Sequence, residues 1–161
     1  MDARCVVLDI GGVLEVTSPT GWVQQWERAA GLAAGTVLDR LHDVFLAGSV
    51  GTMSETEVVA AARVRLGVSE DQLTSFWTLM WEEYLGTLNV ELFEWFRGLR
   101  PRFRTGILSN SFVGAREREQ ERYGFADVTD VIVYSHEVPG RMYRSSPKTA
   151  VIWIWPPRAW M

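Results

Sequence analysis

Apolar positions along this chain change their period twice. Three short stretches have strand character, and each ends in polar residues. Cys5-Val6-Val7-Leu8 runs into Asp9, Phe103 to Leu108 runs into Ser109-Asn110-Ser111, and Val131 to Tyr134 runs into Ser135-His136-Glu137. Between the first two lies a long stretch, Ser18 to Gly86, in which apolar residues recur every three or four positions. Trp22, Trp26 and Ala30 form one stripe; Val37, Leu41, Val44 and Phe45 form the next, with Leu38 beside them. Ser54 followed by Glu57 is a capping-box signature, and Val58, Ala61, Ala62 and Leu66 follow on one face. Ser69 opens a fourth helix with Leu73, Phe76, Trp77, Met80, Trp81 and Tyr84 as its stripe, closed by Gly86. These stripes are expected to be packing surface.

Beyond Gly86 the pattern alternates. Val90, Phe93, Trp95, Phe96 and Leu99 predict an amphipathic helix running to Pro101. Gly114 to Tyr123 is a charged helix, read as a solvated face with i,i+4 pairs and stopped by Gly124. Strands alternating with helices predict an α/β fold with a Rossmann-like parallel sheet. The all-helical stretch after the first strand predicts an inserted helical cap. The expected division is residues 1–15 and 88–161 for the α/β core, with 141–161 an atypical tail, and residues 16–87 for the cap.

Parallel neighbours would bring Asp9, Ser109-Asn110 and Ser135-Glu137 to one sheet edge, where open α/β sheets bind ligands. Gly11 and Gly12 can adopt positive φ and let the backbone approach a ligand. A carboxylate so placed can be a nucleophile, a metal ligand or both. The plainer alternative is that Asp9 only starts a turn.

Composition narrows this picture. A chain of 161 residues holds one good core and at most a second small domain. The net charge of −4 argues against a general nucleic-acid binder. No apolar run reaches the length of a membrane span, and the N-terminal run, interrupted by Asp9, is too short for a signal peptide. The single Cys5 has no internal partner and is expected to be a buried, inert thiol. The expected location is cytoplasmic. His42 in a cap helix and His136 after the third strand are read as structural or exposed. The residues do not encode an oligomeric state.

Asp9-Ile10-Gly11-Gly12-Val13-Leu14, Gly106-Ile107-Leu108-Ser109-Asn110-Ser111 and Ser135-His136-Glu137-Val138, in this order and with a cap between the first two, resemble the haloacid-dehalogenase (HAD) superfamily of hydrolases. The likeness is to the small-cap members: sugar-phosphatase-like proteins and the N-terminal domain of soluble epoxide hydrolase. It covers about residues 4 to 138. The resemblance implies a Mg²⁺-dependent phosphatase acting on a small phosphorylated metabolite through an aspartyl-phosphate. It implies Asp9 as nucleophile, Mg²⁺ on the Asp9 carboxylate and the Gly11 carbonyl, and a phosphate grip from Ser109 with backbone groups of Gly11, Gly12 and Asn110.

The chain departs from that pattern in three places. Gly11 stands where many relatives carry a second Asp, the acid–base residue. Arg141-Met142-Tyr143 stands where a Lys-Pro step is expected, with Arg144 and Lys148 as nearby cations. No Asp or Glu follows Glu137, so the acidic metal ligands of the fourth motif are missing. These departures suggest a frame change or truncation beginning between Val138 and Tyr143. The β-prone Val151 to Trp155 would then cover the open edge of the first strand. The alternative reading is a catalytically inactive, truncated remnant or binding protein. A dehalogenase is a third reading, but Gly11 does not support it, and cap residues Arg28, Arg40, Arg63 and Arg65 read as surface charges.

Overall fold

The computed structural model describes residues 5–138. The expectations placed on the tail, including Arg141, Arg144, Lys148 and the strand at Val151 to Trp155, lie outside the described residues.

Three parallel strands form the main sheet in the order β1 (Cys5–Leu8), β4 (Arg104–Ser109), β5 (Val131–Tyr134). Leu8 pairs with Ile107, and Ser109 pairs with Tyr134, so all three strands end at the same rim. One face of this sheet packs on α5 (Val90–Arg97) and α7 (Phe125–Val128) through Ile107, Tyr134, Phe93, Phe96, Phe125 and Val128. The opposite face carries Val7 and Val131, which are exposed and flank Gly106. Among the described residues β1 is therefore an edge strand. Cys5, expected to be buried, is exposed. The physical reason is alternation: residues 5 and 7 point away from the packed face while Val6 and Leu8 point toward it.

The helical stretch contains the four expected helices, α1 (Trp22–Ala29), α2 (Thr36–Ser49), α3 (Glu55–Leu66) and α4 (Glu70–Leu85). They enclose a second core in which Trp22 and Trp26, one turn apart, meet Phe76 edge-on at 5.1 and 4.9 Å between ring centroids. Ser54 and Glu57 form the capping box read from the sequence, and Ser69 with Gln72 forms a second. The start of α2 has a glycine N-cap that offers no side chain. Its orphan N–H groups are met by Glu27, which accepts from Gly35 at 3.0 Å and Val37 at 2.8 Å, and this explains a fully buried acid. Arg65 pairs with Asp43, and Arg40 donates to the Arg65 carbonyl, so these arginines tie α3 to α2.

Three elements escape the periodicity. The strands β2 (Glu15–Val16) and β3 (Thr87–Leu88) pair antiparallel where the chain enters and leaves the helical stretch. The sequence boundaries at 15/16 and 87/88 run across this ladder. Two residues per strand are too few for an alternation signal. The short α7 is the third.

The amphipathic helix after Gly86 ends at Arg97, earlier than expected, and buries Phe93 and Phe96 while Val90 and Trp95 are exposed. The charged helix α6 (Ala115–Tyr123) corrects the solvated-face reading. Ala115 and Glu119, one turn apart, are buried, and Arg118 stacks on Trp81 at 4.1 Å while pairing with Glu55 at 2.7 Å. Among the described residues, no helix is long and apolar enough to cross a membrane.

Candidate functional site

Asp9 follows the last residue of β1, and Ser109 is the last residue of β4, so the sheet register brings them to the same rim. The Ser109 hydroxyl lies near enough to the Asp9 carboxylate to favour its ionised form. The Ile10 N–H also donates to Asp9 Oδ1 at 2.7 Å. Burial raises the pKa of the Asp9 carboxyl, opposed first by the Ile10 N–H and then by the Ser109 hydroxyl.

The chain then turns sharply. Val13 N–H and Glu15 N–H both donate to the Ile10 carbonyl, and Gly12 N–H donates to the Glu15 carbonyl at 2.7 Å. Of the two glycines, Gly12 is the one with a left-handed backbone, φ +75°, and an added Cβ there would meet nothing within 4 Å. Gly12 is exposed and Gly11 half-buried. Asn110 is exposed at the tip of the turn after β4, while its neighbours Ser109 and Ser111 are buried.

The loop after β5 supports that turn from beside it. Ser111 N–H donates to Ser135 Oγ at 3.0 Å, and Ser111 Oγ lies 2.7 Å from His136 Nδ1. The Ser135 hydroxyl in turn donates to the Ser49 carbonyl at the end of α2 at 3.0 Å. Glu137 is engaged by Arg116 through Nη2 at 2.6 Å. His136, read as structural or exposed, is half-buried and bonded to the turn.

Two buried acids near this rim had no place in the sequence reading. Glu119 accepts from the Tyr134 hydroxyl at 2.5 Å. Burial first, with a smaller push from Asp9, raises its pKa to about 7 against the Tyr134 bond and Arg116. Glu15 is 2 % exposed, and its Oε1 has no hydrogen-bond partner among the described residues. Burial first, then the charge of Glu119, pushes it to about 9, partly offset by Arg122. At neutral pH Glu15 therefore holds its proton. A signal for Glu119 was present, since it stands four residues after Ala115 on one helix face; Glu15, in a two-residue strand, carried none.

The arrangement can be tested against a divalent cation. Asp9 is a half-buried carboxylate whose pKa is raised chiefly by desolvation, a cost that a bound cation would offset, and Gly11 offers a carbonyl two residues on. Both are hard oxygen donors of the kind Mg²⁺ takes, with water and ligand oxygens able to complete its shell. Among the described residues, no group of three or more His, Cys, Asp or Glu side chains could hold a metal ion.

No protein-family model and no curated protein matches the chain. Its fold, however, is found among solved structures. A HAD family enzyme from Bacteroides thetaiotaomicron superimposes with a TM-score of 0.66 at 17 % identity, over 84 % of this chain and 69 % of that one. The wild-type protein of the same enzyme, in complex with magnesium and inorganic phosphate, gives 0.66 at 17 % identity over 91 % and 74 %. A predicted HAD-like family hydrolase from Porphyromonas gingivalis gives 0.58 at 23 % identity over 84 % and 67 %. The chain has the fold of the HAD superfamily: a Rossmann-like parallel sheet with a helical insertion after its first strand.

Proposed function

We propose that the protein is a phosphatase of HAD type, with Asp9 as nucleophile and Ser109 as its phosphate-gripping partner. The observation that carries this reading is the parallel register, which brings Asp9 and Ser109, far apart in sequence, to the same rim, with the Ser109 hydroxyl near enough to lower the Asp9 pKa. The similarity to an enzyme crystallised with magnesium and phosphate supports it.

In this reading an Asp9 carboxylate oxygen attacks phosphorus, the ester P–O bond breaks, and the alcohol departs with its electron pair. Water then attacks the phosphorus of the aspartyl-phosphate, releasing phosphate and restoring Asp9. Ser109, with backbone N–H groups at Asn110 and Gly11, holds the phosphate oxygens in line; the Gly12 N–H, expected to join them, is already taken by the Glu15 carbonyl. Asp9 and the Gly11 carbonyl would hold Mg²⁺, which when bound neutralises phosphate charge. Residues 16–87 act as the cap that selects a small phosphorylated metabolite and excludes water. With one cysteine and a net charge of −4, a cytoplasmic enzyme with no role on nucleic acid fits best.

Gly11 supplies no acid for the leaving group, whereas general acid help is worth roughly 10² to 10⁴ in rate. A nitrophenyl phosphate, whose leaving group departs without protonation, is therefore the right probe. With Mg²⁺ present, the expected result is turnover that Asp9→Asn abolishes and Ser109→Ala lowers by about 10²-fold. Turnover unchanged in Asp9→Asn would refute the assignment. An inert wild-type protein would favour the alternative of a non-catalytic binding protein.

A further inference from the structure

The turn after β4 is held by more than its own backbone. Ser111 is 5 % exposed, and both its N–H and its hydroxyl are engaged by consecutive residues of the loop after β5. Its N–H goes to Ser135 Oγ at 3.0 Å, and its hydroxyl meets His136 Nδ1 at 2.7 Å. The supporting loop is fixed in turn by the helical segment. The Ser135 hydroxyl donates to the Ser49 carbonyl. Gly51 presses so closely on His136 that a Cβ there would lie 1.8 Å from the His136 carbonyl oxygen. Neither Ser135 nor His136 is needed to build a strand, because β5 ends at Tyr134.

We propose that Ser135 and His136 are positioning residues that fix the 109–111 turn as an anion-binding element and tie its geometry to the end of α2. This rests on the reading that the turn grips a phosphate. The physical basis is preorganisation: N–H groups locked before binding cost less to align when an anion arrives. An imidazole nitrogen bonded to the Ser111 hydroxyl stops that side chain from turning into the anion site. The Ser135 oxygen sets the direction of the Ser111 peptide.

The test uses the full chain with His136→Ala, His136→Asn and Ser135→Ala. Two quantities are read: inhibition by inorganic phosphate together with KM and kcat on nitrophenyl phosphate in Mg²⁺, and hydrogen exchange of the Ser111 amide without any ligand. His136→Ala should raise KM and weaken phosphate inhibition by about tenfold while kcat falls less, since one hydrogen bond is worth about that factor. His136→Asn, which can present a polar atom near the Nδ1 position, should return both to within about threefold. Ser135→Ala should speed Ser111 amide exchange by about tenfold. Should His136→Ala fail to fold, Ser111→Ala removes the same bond from the other side and carries the same expectation. Phosphate inhibition and Ser111 exchange both at wild-type values would overturn the proposal, as would His136→Asn behaving like His136→Ala. Phosphate inhibition and Ser111 exchange both altered in a protein whose wild type binds phosphate but does not turn over would support the positioning role and refute the phosphatase reading, whereas a wild type that does not bind phosphate would overturn both.

Discussion

Single residues at the strand ends combine opposed electrostatic demands. In the proposed reaction Asp9 must be ionised to attack phosphorus, yet burial raises its pKa, and the Ile10 N–H and the Ser109 hydroxyl work against that rise. In that reading, removing the Ser109 hydroxyl would take away a phosphate ligand and make the Asp9 carboxyl harder to ionise. The acidic limb of the pH–rate profile should move upward in Ser109→Ala, a shift that a role in phosphate contact alone would not produce.

Glu15 poses a different problem. Its pKa rises from 4.5 in an open chain to about 9 in the fold. The folded form thus binds the proton more tightly than the unfolded form. That stabilisation is fully present below pH 4.5 and is lost as the pH climbs toward about 9. Glu119, raised to about 7, adds in the same direction. Thermal melting should therefore fall between mildly acidic and alkaline pH. Glu15→Gln keeps the shape without the charge and should flatten the fall, melting above wild type at pH 9. Parallel melting curves for the two proteins across pH would contradict this account of Glu15.

Among the elements, the junction between the helical stretch and the sheet is built from close backbone approach. Gly51 sits at φ +72° against the His136 carbonyl, and Gly48 lies under the Phe112 ring, where a Cβ would come within 2.5 Å of a ring carbon. Gly51→Ala must both adopt a strained φ and displace backbone. A cost of about 1–3 kcal/mol is expected, measured by denaturant unfolding. A variant as stable as wild type would show that the contact yields freely.

The same elements show what the chain reveals before folding. The four helices α1 to α4 were legible because Trp22 and Trp26, or Val58 and Ala62, repeat at helical spacing and because Ser54 and Ser69 announce helix starts. The strands β4 and β5 were legible as apolar runs ending in polar residues. The β2–β3 ladder was hidden, since two-residue strands have no period. Cys5 was misplaced because an apolar run does not say which of its two faces is covered. The charged helix α6 was misjudged because Arg118 and Glu119 look like solvated residues until Trp81, Glu55 and Tyr134 are brought beside them. Asp9 and Ser109 could be singled out by position in the chain, but their closeness at one rim is a product of parallel register.

At the scale of the whole molecule, two apolar cores are joined through Phe112 and Val113, which follow the 109–111 turn and pack in the core of the helical stretch. Val113 N–H also donates to the Gly48 carbonyl. The rim that holds Asp9 is thereby linked through one continuous stretch of chain to the helical core. Such an architecture allows a ligand at the rim to stabilise both parts together. Mg²⁺ with inorganic phosphate should raise the melting temperature of the wild-type protein, and less so that of Asp9→Asn.

The most direct measurement is to trap the covalent species. The protein is mixed with Mg²⁺ and excess nitrophenyl phosphate, quenched in acid within the first turnover, digested and weighed peptide by peptide. The account predicts one added phosphoryl group, on the peptide containing Asp9, and none in Asp9→Asn. Turnover proceeding with no such adduct, or with the group on another residue, would contradict it.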